Sequence, residues 1–171
     1  MATVGIIGAG HVGCALAFDL ASRGHEVILR SMPGHPGNIP KIRANNNHLE
    51  CSGVITGHIA MRAEEGLNDT TCFTESTIFV AVPSQAHDDI LAALAFHDLR
   101  SRVVIFITGN AVAVRAHQML NARAVLDTAT SPYSSRVDAQ GIVNIRGMKK
   151  RLQVGSLPSD IGEKDRNAVS C

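Results

Sequence analysis

A glycine pattern near the amino terminus constrains this chain more than any other feature. Gly8, Gly10 and Gly13 form G-x-G-x-x-G directly after the apolar run of residues 3–7, and a helical apolar pattern follows. In a strand–turn–helix layout the first glycine permits a sharp turn, the second lets a pyrophosphate approach the backbone, and the third lets the helix pack close to the strand. The context predicts a dinucleotide site, since the N–H groups at the helix start would face the phosphates; a glycine-rich turn in an ordinary α/β protein is the alternative.

Length and composition indicate a globular chain with one main domain. The 171 residues are 45% hydrophobic and 18% charged, and the net charge of +1 argues against nucleic acid as a partner. The four cysteines contain no C-x-x-C pair, which is typical of free thiols in a cytoplasmic protein. Asp19 and three glycines interrupt the apolar stretch 4–21, so we expect neither a signal peptide nor a membrane partner.

Alternating strands and helices predict the fold. A helix over 11–23 is followed by a strand at 26–30, a strand pair within 49–62 whose second arm (59–61) is the third strand, and a helical turn capped by Asp69. Further strands are predicted at 77–83, 102–108 and 124–128, with helices after the first two of these. This order predicts an α/β chain with a Rossmann-type doubly wound, mostly parallel sheet. Residues 142–146 and 151–155 flank 147–150, which predicts a C-terminal β-hairpin appendage with a solvated basic tip.

The end of the second strand bears on the choice of dinucleotide. Residues 30–32 contain no carboxylate to accept hydrogen bonds from the ribose hydroxyls of NAD. Arg30 and Ser31 could instead bind a 2′-phosphate, which favours NADP(H) over NAD(H). Alternatively Arg30 stacks on the adenine or points to solvent, and the preference stays open.

Other candidate residues follow the later strands, at the edge of the sheet where ligands bind in open α/β folds. Val82 and Pro83 are expected at the ribose and nicotinamide end. His87 is the only catalytic candidate, as a proton donor or substrate contact, or it simply orients its loop. The histidines near Cys51 match no zinc spacing, so no metal site is predicted. The predicted cofactor-binding residues are Gly8, Gly10, His11, Val12, Gly13, Arg30, Ser31, Val82, Pro83, Ser84, Gly109 and Asn110.

Four segments together resemble one family. They are residues 5–13 with Gly24-His25-Glu26-Val27, Phe79-Val80-Ala81-Val82-Pro83 with Ala86-His87, Thr108-Gly109-Asn110, and Asp127-Thr128 followed by Ser131-Pro132-Tyr133-Ser134-Ser135-Arg136. The chain resembles the N-terminal NAD(P)-binding domain of the opine (octopine/nopaline) dehydrogenases over residues 1–158. The resemblance implies a reductive condensation of an α-keto acid with an amino acid, with Tyr133 and Arg136 able to hold the keto-acid carboxylate.

The resemblance also implies a helical substrate domain with a catalytic His–Asp pair, which 171 residues do not accommodate. We therefore expect residues 159–171 to be a polar tail at the start of that domain, in a truncated, split or free-standing chain. Such a chain would bind cofactor without turnover, and its uncovered apolar edge could form a homodimer. The alternatives are the cofactor domain of a ketopantoate-reductase-like or glycerol-3-phosphate-dehydrogenase-like enzyme, or a non-catalytic NADP(H)-binding module.

Overall fold

The computed structural model describes residues 1–32, 34–67 and 73–158. The helical turn predicted from Asp69 and the predicted tail 159–171 lie outside these residues. The helices are α1 (His11–Ser22), α2 (Ile39–Ala44), α3 (His87–Ala95) and α4 (Val112–Met119), with a 3₁₀ turn at Ser84–Ala86. The strands are β1 (Thr3–Ile7), β2 (Glu26–Arg30), β3 (His48–Gly53), β4 (Gly57–Ala60), β5 (Arg62–Glu64), β6 (Thr77–Val80), β7 (Val103–Phe106), β8 (Ala124–Thr128), β9 (Tyr133–Val137), β10 (Val143–Met148) and β11 (Val154–Leu157).

The central sheet has the doubly wound order that alternating strands and helices predict. Its strands run β5-β2-β1-β6-β7-β8-β11, and all pairs are parallel except the last, in which β11 runs antiparallel to β8. The middle strands are apolar along their length because both faces of the sheet are covered, as the four buried residues of β7 illustrate. The predicted Rossmann-type fold class is therefore confirmed. The carboxyl ends of its parallel strands meet at one edge.

A second sheet covers the helix that follows the glycine turn. Its strands run β4-β3-β10-β9, and they pack on the side of α1 that faces away from the central sheet. Every residue of α1 from Gly13 to Leu20 is buried as a result. A helix with a sheet on each side needs no polar face, which explains why apolar residues surround α1 instead of forming one stripe.

The second sheet corrects two predictions. The predicted C-terminal hairpin is wrong, because β10 pairs with β9 and β3 whereas β11 joins the central sheet beside β8. The predicted third strand at 59–61 is also wrong, since β4 pairs with β3 in the second sheet and the strand beside β2 in the central sheet is β5. The apolar Ile59 lies opposite Leu49 in the β3–β4 hairpin. An edge strand such as β5 can lack an apolar run. The hydrophobic pattern therefore favoured residues 59–61 as the third strand instead.

Neither a membrane-spanning helix nor a metal-binding cluster is found in the described parts of the chain. None of the helices there is long and apolar enough to cross a bilayer. In those same residues, no three His, Cys, Asp or Glu side chains come together as they would around a metal ion.

Candidate functional site

The three motif glycines differ in what requires them. A Cβ on Gly8, where φ is +112°, would lie 2.3 Å from the carbonyl oxygen of Ala81, and a Cβ on Gly13 would lie 1.8 Å from the carbonyl oxygen of Gly8. Packing within the protein therefore excludes side chains at both positions. Gly10 is different, because its backbone is extended and a Cβ there would meet no atom within 4 Å. The open space above Gly10 fits the close approach of a ligand phosphate.

The amino-terminal end of α1 is free to face an anion. Gly10 precedes the helix without any side-chain hydrogen bond to it, and the first turn contains no acidic residue. The partial positive charge of the helix end is thus not balanced by an acidic group in its first turn. Strand β9 holds His11, the first residue of α1, through two hydrogen bonds. The Val137 N–H donates to His11 Nδ1 at 2.9 Å, and the Ser135 hydroxyl donates to the His11 carbonyl at 3.0 Å.

The loop after β2 forms a wall beside the glycine turn. Asn38 donates to the Ala9 carbonyl twice, from its backbone N–H and from its side-chain amide, each at 2.9 Å. Gly37 has a φ of +57°, and a Cβ there would lie 2.6 Å from the same carbonyl oxygen. The loop therefore has a fixed position against the turn, next to the open space above Gly10.

Arg30 does not extend into solvent from the end of β2. Its guanidinium is buried, with Nε 2.8 Å from a Glu64 carboxylate oxygen and a terminal nitrogen paired with the buried Glu75 carboxylate. The guanidinium carbon also lies 5.2 Å from the centre of the Phe73 ring. Gly5 in β1 makes room for this pair, since a Cβ there would lie 3.1 Å from Glu75 Oε1. These two carboxylates, which come from distant parts of the sequence, thus bind the guanidinium that was expected to bind a 2′-phosphate.

Ser31 is also directed into the protein. It is buried, and its Oγ accepts a hydrogen bond from the Gly66 N–H at 2.8 Å. Its backbone N–H donates to the Glu64 carbonyl. Residues 64–66 therefore wrap the end of β2, and they bring a carboxylate to a place where residues 30–32 contain none.

The loops after β6 and β7 are tied together at the same edge of the sheet. The Asn110 amide donates to Ser84 Oγ at 2.7 Å, so Ser84 links two loops and does not cap the following helix. Thr108, Asn110 and Ala111 all have φ values between 51° and 64°, a region that is uncommon for non-glycine residues. Such strain persists only where the surroundings hold it, and it clusters at ligand sites.

Strand β8 supports this strained loop. The Thr108 N–H donates to Thr128 Oγ1 at 2.8 Å, and a Cβ on Gly109 would lie 2.4 Å from the Asp127 Cβ. Gly109 is therefore required by packing, while Asn110, Pro83 and Ser84 are exposed at the edge. Val82 is buried beneath them.

His87 lies in the core and not at this edge. Its ring is buried and meets Phe106 edge-on, with 5.7 Å between the ring centres. Burial lowers the pKa of His87, and the nearby Arg115 charge lowers it further. A neutral, buried imidazole is suited to packing. The placement favours the loop-orienting alternative over a proton donor.

Tyr133 and Arg136 have separate surroundings. The Tyr133 hydroxyl donates to Asp19 Oδ2 at 2.6 Å in the interior, and the Arg23 guanidinium binds the same carboxylate from outside at 2.8 Å. Tyr133 thus connects β9 to α1, a role that sequence reasoning missed. Arg136 is exposed at a pocket of about 570 Å³, where Tyr133 forms part of the wall. Sequence reasoning also missed two further cations of this pocket, Arg146 and Lys149, because residues 142–146 were predicted to be one arm of a hairpin and residues 147–150 its solvated tip.

The glycine turn and the neighbouring edge of the sheet both lie within a match to a known protein family. The family described as NADP oxidoreductase, coenzyme F420-dependent, matches residues 3–110. The chain belongs to this oxidoreductase family. The match includes the glycine turn, Arg30, and the strained loop as far as Asn110.

Curated relatives are similar over nearly the whole chain. D-nopaline dehydrogenase from Agrobacterium vitis is 29% identical over 170 residues, which are 95% of this chain and 41% of the relative. Protein ocs from Agrobacterium tumefaciens (strain Ach5) is 33% identical over 162 residues, which are 91% of this chain and 44% of the relative. The chain therefore spans about two fifths of the length of the relatives that it matches. The resemblance to the N-terminal domain of opine dehydrogenases is confirmed.

Solved structures have the same fold. Apo yersinopine dehydrogenase aligns with a TM-score of 0.72 at 16% identity, over 99% of this chain and 44% of that protein. Octopine dehydrogenase with NADH and L-arginine aligns with a TM-score of 0.66 at 14% identity, over 92% and 42%. A 2-dehydropantoate 2-reductase from Methylococcus capsulatus aligns with a TM-score of 0.68 at 14% identity, over 98% and 53%.

Proposed function

We propose that this chain is the NAD(P)(H)-binding domain of an opine-type dehydrogenase. The observation that carries the proposal is Gly10, where glycine is present although no contact within the protein requires it. Gly10 also borders the uncapped end of α1, so the two features that favour an anion meet at one place. The nopaline dehydrogenase and protein ocs relatives support the opine class.

The residues at the edge of the sheet divide between the two halves of the cofactor. The first-turn N–H groups of α1 and the open space at Gly10 would hold the pyrophosphate, with Gly8 and Gly13 shaping the turn. Val82, Pro83, Ser84 and Asn110 would contact the nicotinamide half, which supplies a hydride when the cofactor is bound. The hydrogen bond between Ser84 and Asn110 would keep these two loops at a constant separation.

We propose an α-keto acid and an amino acid as the substrates of the reaction, which belongs to the oxidoreductases acting on CH–NH donors. Arg136 is exposed and can hold the keto-acid carboxylate by a bidentate contact. The Tyr133 hydroxyl is already bonded to Asp19, so its contribution to the substrate would be limited to its ring. With His87 buried, we expect the 171-residue chain by itself to bind cofactor without amino-acid-dependent turnover.

For the choice between the two dinucleotides we propose NADP(H), on the ground that Arg30 lies at the end of β2, where its guanidinium would bind a 2′-phosphate. Arg30 reaches a 2′-phosphate only if it releases Glu64, whose side chain is 34% exposed. The release of Glu75 is not required, because that carboxylate is buried on the other side of the guanidinium.

A homodimer and a cytoplasmic location complete the proposal. Phe96 and Val114, on α3 and α4 or directly beside them, are large apolar side chains exposed to solvent, which supports self-association. Cys14 and Cys51 are buried free thiols, as suits a reducing compartment. Sedimentation of the purified chain would measure the oligomeric state.

The binding test uses the glycines at the two ends of α1. Gly10→Ala places a methyl group in open space, so we expect the melting temperature to stay close to that of the wild type while NADPH and NADH affinity falls at least ten-fold. Gly24→Ala is the matched control, because Gly24 has a φ of +86° at the far end of the helix. It should lower stability by about 1–2 kcal/mol and leave dinucleotide affinity unchanged.

Calorimetric titration measures both affinities, and thermal unfolding measures both stabilities. Unchanged dinucleotide binding by Gly10→Ala would overturn the assignment of the site. Turnover is followed as NADPH oxidation on the same samples, with pyruvate and a panel of amino acids. Steady oxidation that depends on the amino acid would refute the expectation that this chain is inactive alone.

A further inference from the structure

The Glu64 carboxylate lies between two arginines at the end of β2. One of its oxygens, Oε2, is 2.8 Å from Arg30 Nε. The other, Oε1, is 2.9 Å from both Arg62 Nε and a terminal nitrogen of Arg62. Each oxygen of Glu64 therefore has its own arginine, and the carboxylate can lose one partner and keep the other.

The pairing of β2 with β5 explains why these three side chains meet. The two strands are parallel, and Arg30 lies opposite Glu64 in the register. Arg62 precedes Glu64 by two residues on β5, and residues two apart in a strand lie on the same face of a sheet. Arg30, Glu64 and Arg62 thus form a row at the carboxyl edge, which we call the arginine–glutamate row.

The two arginines of this row differ in their freedom to move. The Arg30 side chain is 3% exposed, and its second partner, Glu75, is buried. Arg62 is 60% exposed. Arg30 is therefore held from behind, whereas Arg62 lies in solvent and can follow a displacement of Glu64.

A 2′-phosphate would set two anions against each other at Arg30. A phosphate monoester carries about two negative charges at neutral pH, so it would compete with Glu64 for the guanidinium and repel the displaced carboxylate. Arg62 reduces this cost, because Glu64 stays paired through Oε1 after it leaves Arg30. The ribose 2′-hydroxyl of NAD(H) carries no charge, and the pair of Arg30 and Glu64 can stay intact beside it.

We propose that Arg62 determines how strongly NADP(H) is preferred over NAD(H), by holding Glu64 when Arg30 binds the 2′-phosphate. The inference rests on the proposed function, and within it on the contact of Arg30 with the 2′-phosphate. Arg62 is a positioning residue, since it acts on the cofactor through Glu64. Its effect is therefore confined to the phosphorylated dinucleotide and requires the Glu64 charge.

A double-mutant cycle tests both conditions. NADPH and NADH are titrated calorimetrically into the 171-residue wild type, Arg62→Gln, Glu64→Gln and the double variant. We expect Arg62→Gln to weaken NADPH about two- to five-fold, the range for a partly exposed ion pair, and to leave NADH affinity unchanged. In the Glu64→Gln background the same substitution should have no effect, because no carboxylate is left to hold. Arg62→Lys keeps the charge and should retain most of the NADPH affinity.

Arg43→Gln is the matched control. Arg43 pairs with Glu65, the neighbour of Glu64, and its side chain is 47% exposed. The substitution removes the same charge from the same region, so a general loss of positive potential would appear in it as well. We expect its ratio of NADPH to NADH affinity to equal that of the wild type. Thermal unfolding checks that every variant is folded.

Each contrary result has a distinct meaning. If Arg62→Gln or Arg43→Gln lowers NADPH and NADH affinity alike, or if Arg62→Gln changes neither, the inference is wrong while dinucleotide binding still supports the proposed function. An equal loss of NADPH affinity with and without the Glu64 charge would show that Arg62 contacts the phosphate itself, which also overturns it. If the wild type binds neither dinucleotide, the proposed function fails and the inference fails with it.

Discussion

The hydroxyl of Tyr133 offers the sharpest test of how the two sheets are held on α1. Tyr133→Phe removes one oxygen and leaves the ring in place, so no large cavity forms. The lost interaction is a 2.6 Å hydrogen bond to the buried Asp19 carboxylate. Hydrogen bonds to charged groups contribute about 1.5–3 kcal/mol. For a chain of this size that corresponds to a fall in melting temperature of roughly 3–12 °C.

The pH dependence gives a second, independent readout of the same bond. Burial raises the pKa of Tyr133 far above its ordinary value of 10, and the Asp19 carboxylate raises it further. Above about pH 10 the unfolded chain loses this proton while the folded chain keeps it, so wild-type stability should fall as pH rises. The slope approaches about 1.4 kcal/mol per pH unit, and the Tyr133→Phe variant should lack this contribution.

The assay is unusually clean because the chain contains one tyrosine and no tryptophan. Ultraviolet difference spectroscopy therefore reports ionisation of Tyr133 alone, and urea unfolding at several pH values measures the stability of both proteins. A phenol that ionises near pH 10 in the folded chain, or a Tyr133→Phe variant as stable as the wild type, would refute the described role of this hydrogen bond. Dinucleotide affinity should be unchanged by the substitution, because the hydroxyl faces Asp19 and not the open edge.

Three further substitutions or treatments test the surroundings of the site. Glu75→Gln should cost about 3–5 kcal/mol of unfolding free energy in urea, since it removes the charge that compensates the buried Arg30; an unchanged free energy would contradict the ion pair. Glu64→Gln should strengthen NADPH relative to NADH in calorimetric titrations, because it frees one side of Arg30, and a constant ratio would show that Arg30 does not reach the 2′-phosphate. Burial raises the pKa of Cys14 to about 12, so its thiol should resist alkylation at neutral pH until urea is added, as peptide mass mapping can establish; rapid alkylation of the native chain would contradict its burial.

Local patterns predicted the parts of the site that depend on neighbouring residues. The glycine turn, β2 and β8 lie where the sequence places them, because an apolar run bounded by turn residues identifies a buried strand without knowledge of its partners. The partners themselves could not be predicted. Arg30 meets Glu64 and Glu75 from distant segments, which turns an expected ligand contact into a buried ion pair.

Pairing between distant strands also explains the errors. Residues 142–146 and 151–155 each have a strand pattern, and their short separation favoured a hairpin. In the structure the bulge at Arg146 and the pairing of β10 with β3 join the first arm to the second sheet instead. Nothing in a single sequence specifies that register, so the pocket lined by Arg136, Arg146 and Lys149 could not be anticipated.

The position of α1 between two sheets has a consequence for synthesis of the chain. Residues 11–22 are made early, but β9 and β10, which cover their outer side, extend to residue 148. A nascent chain on the ribosome must therefore keep an almost wholly apolar helix half-covered while more than a hundred further residues are added, a stage at which chains are open to aggregation and to chaperones. The family match at residues 3–110 ends before these strands, so the matched segment lacks β9 and β10, which cover part of the outer side of α1.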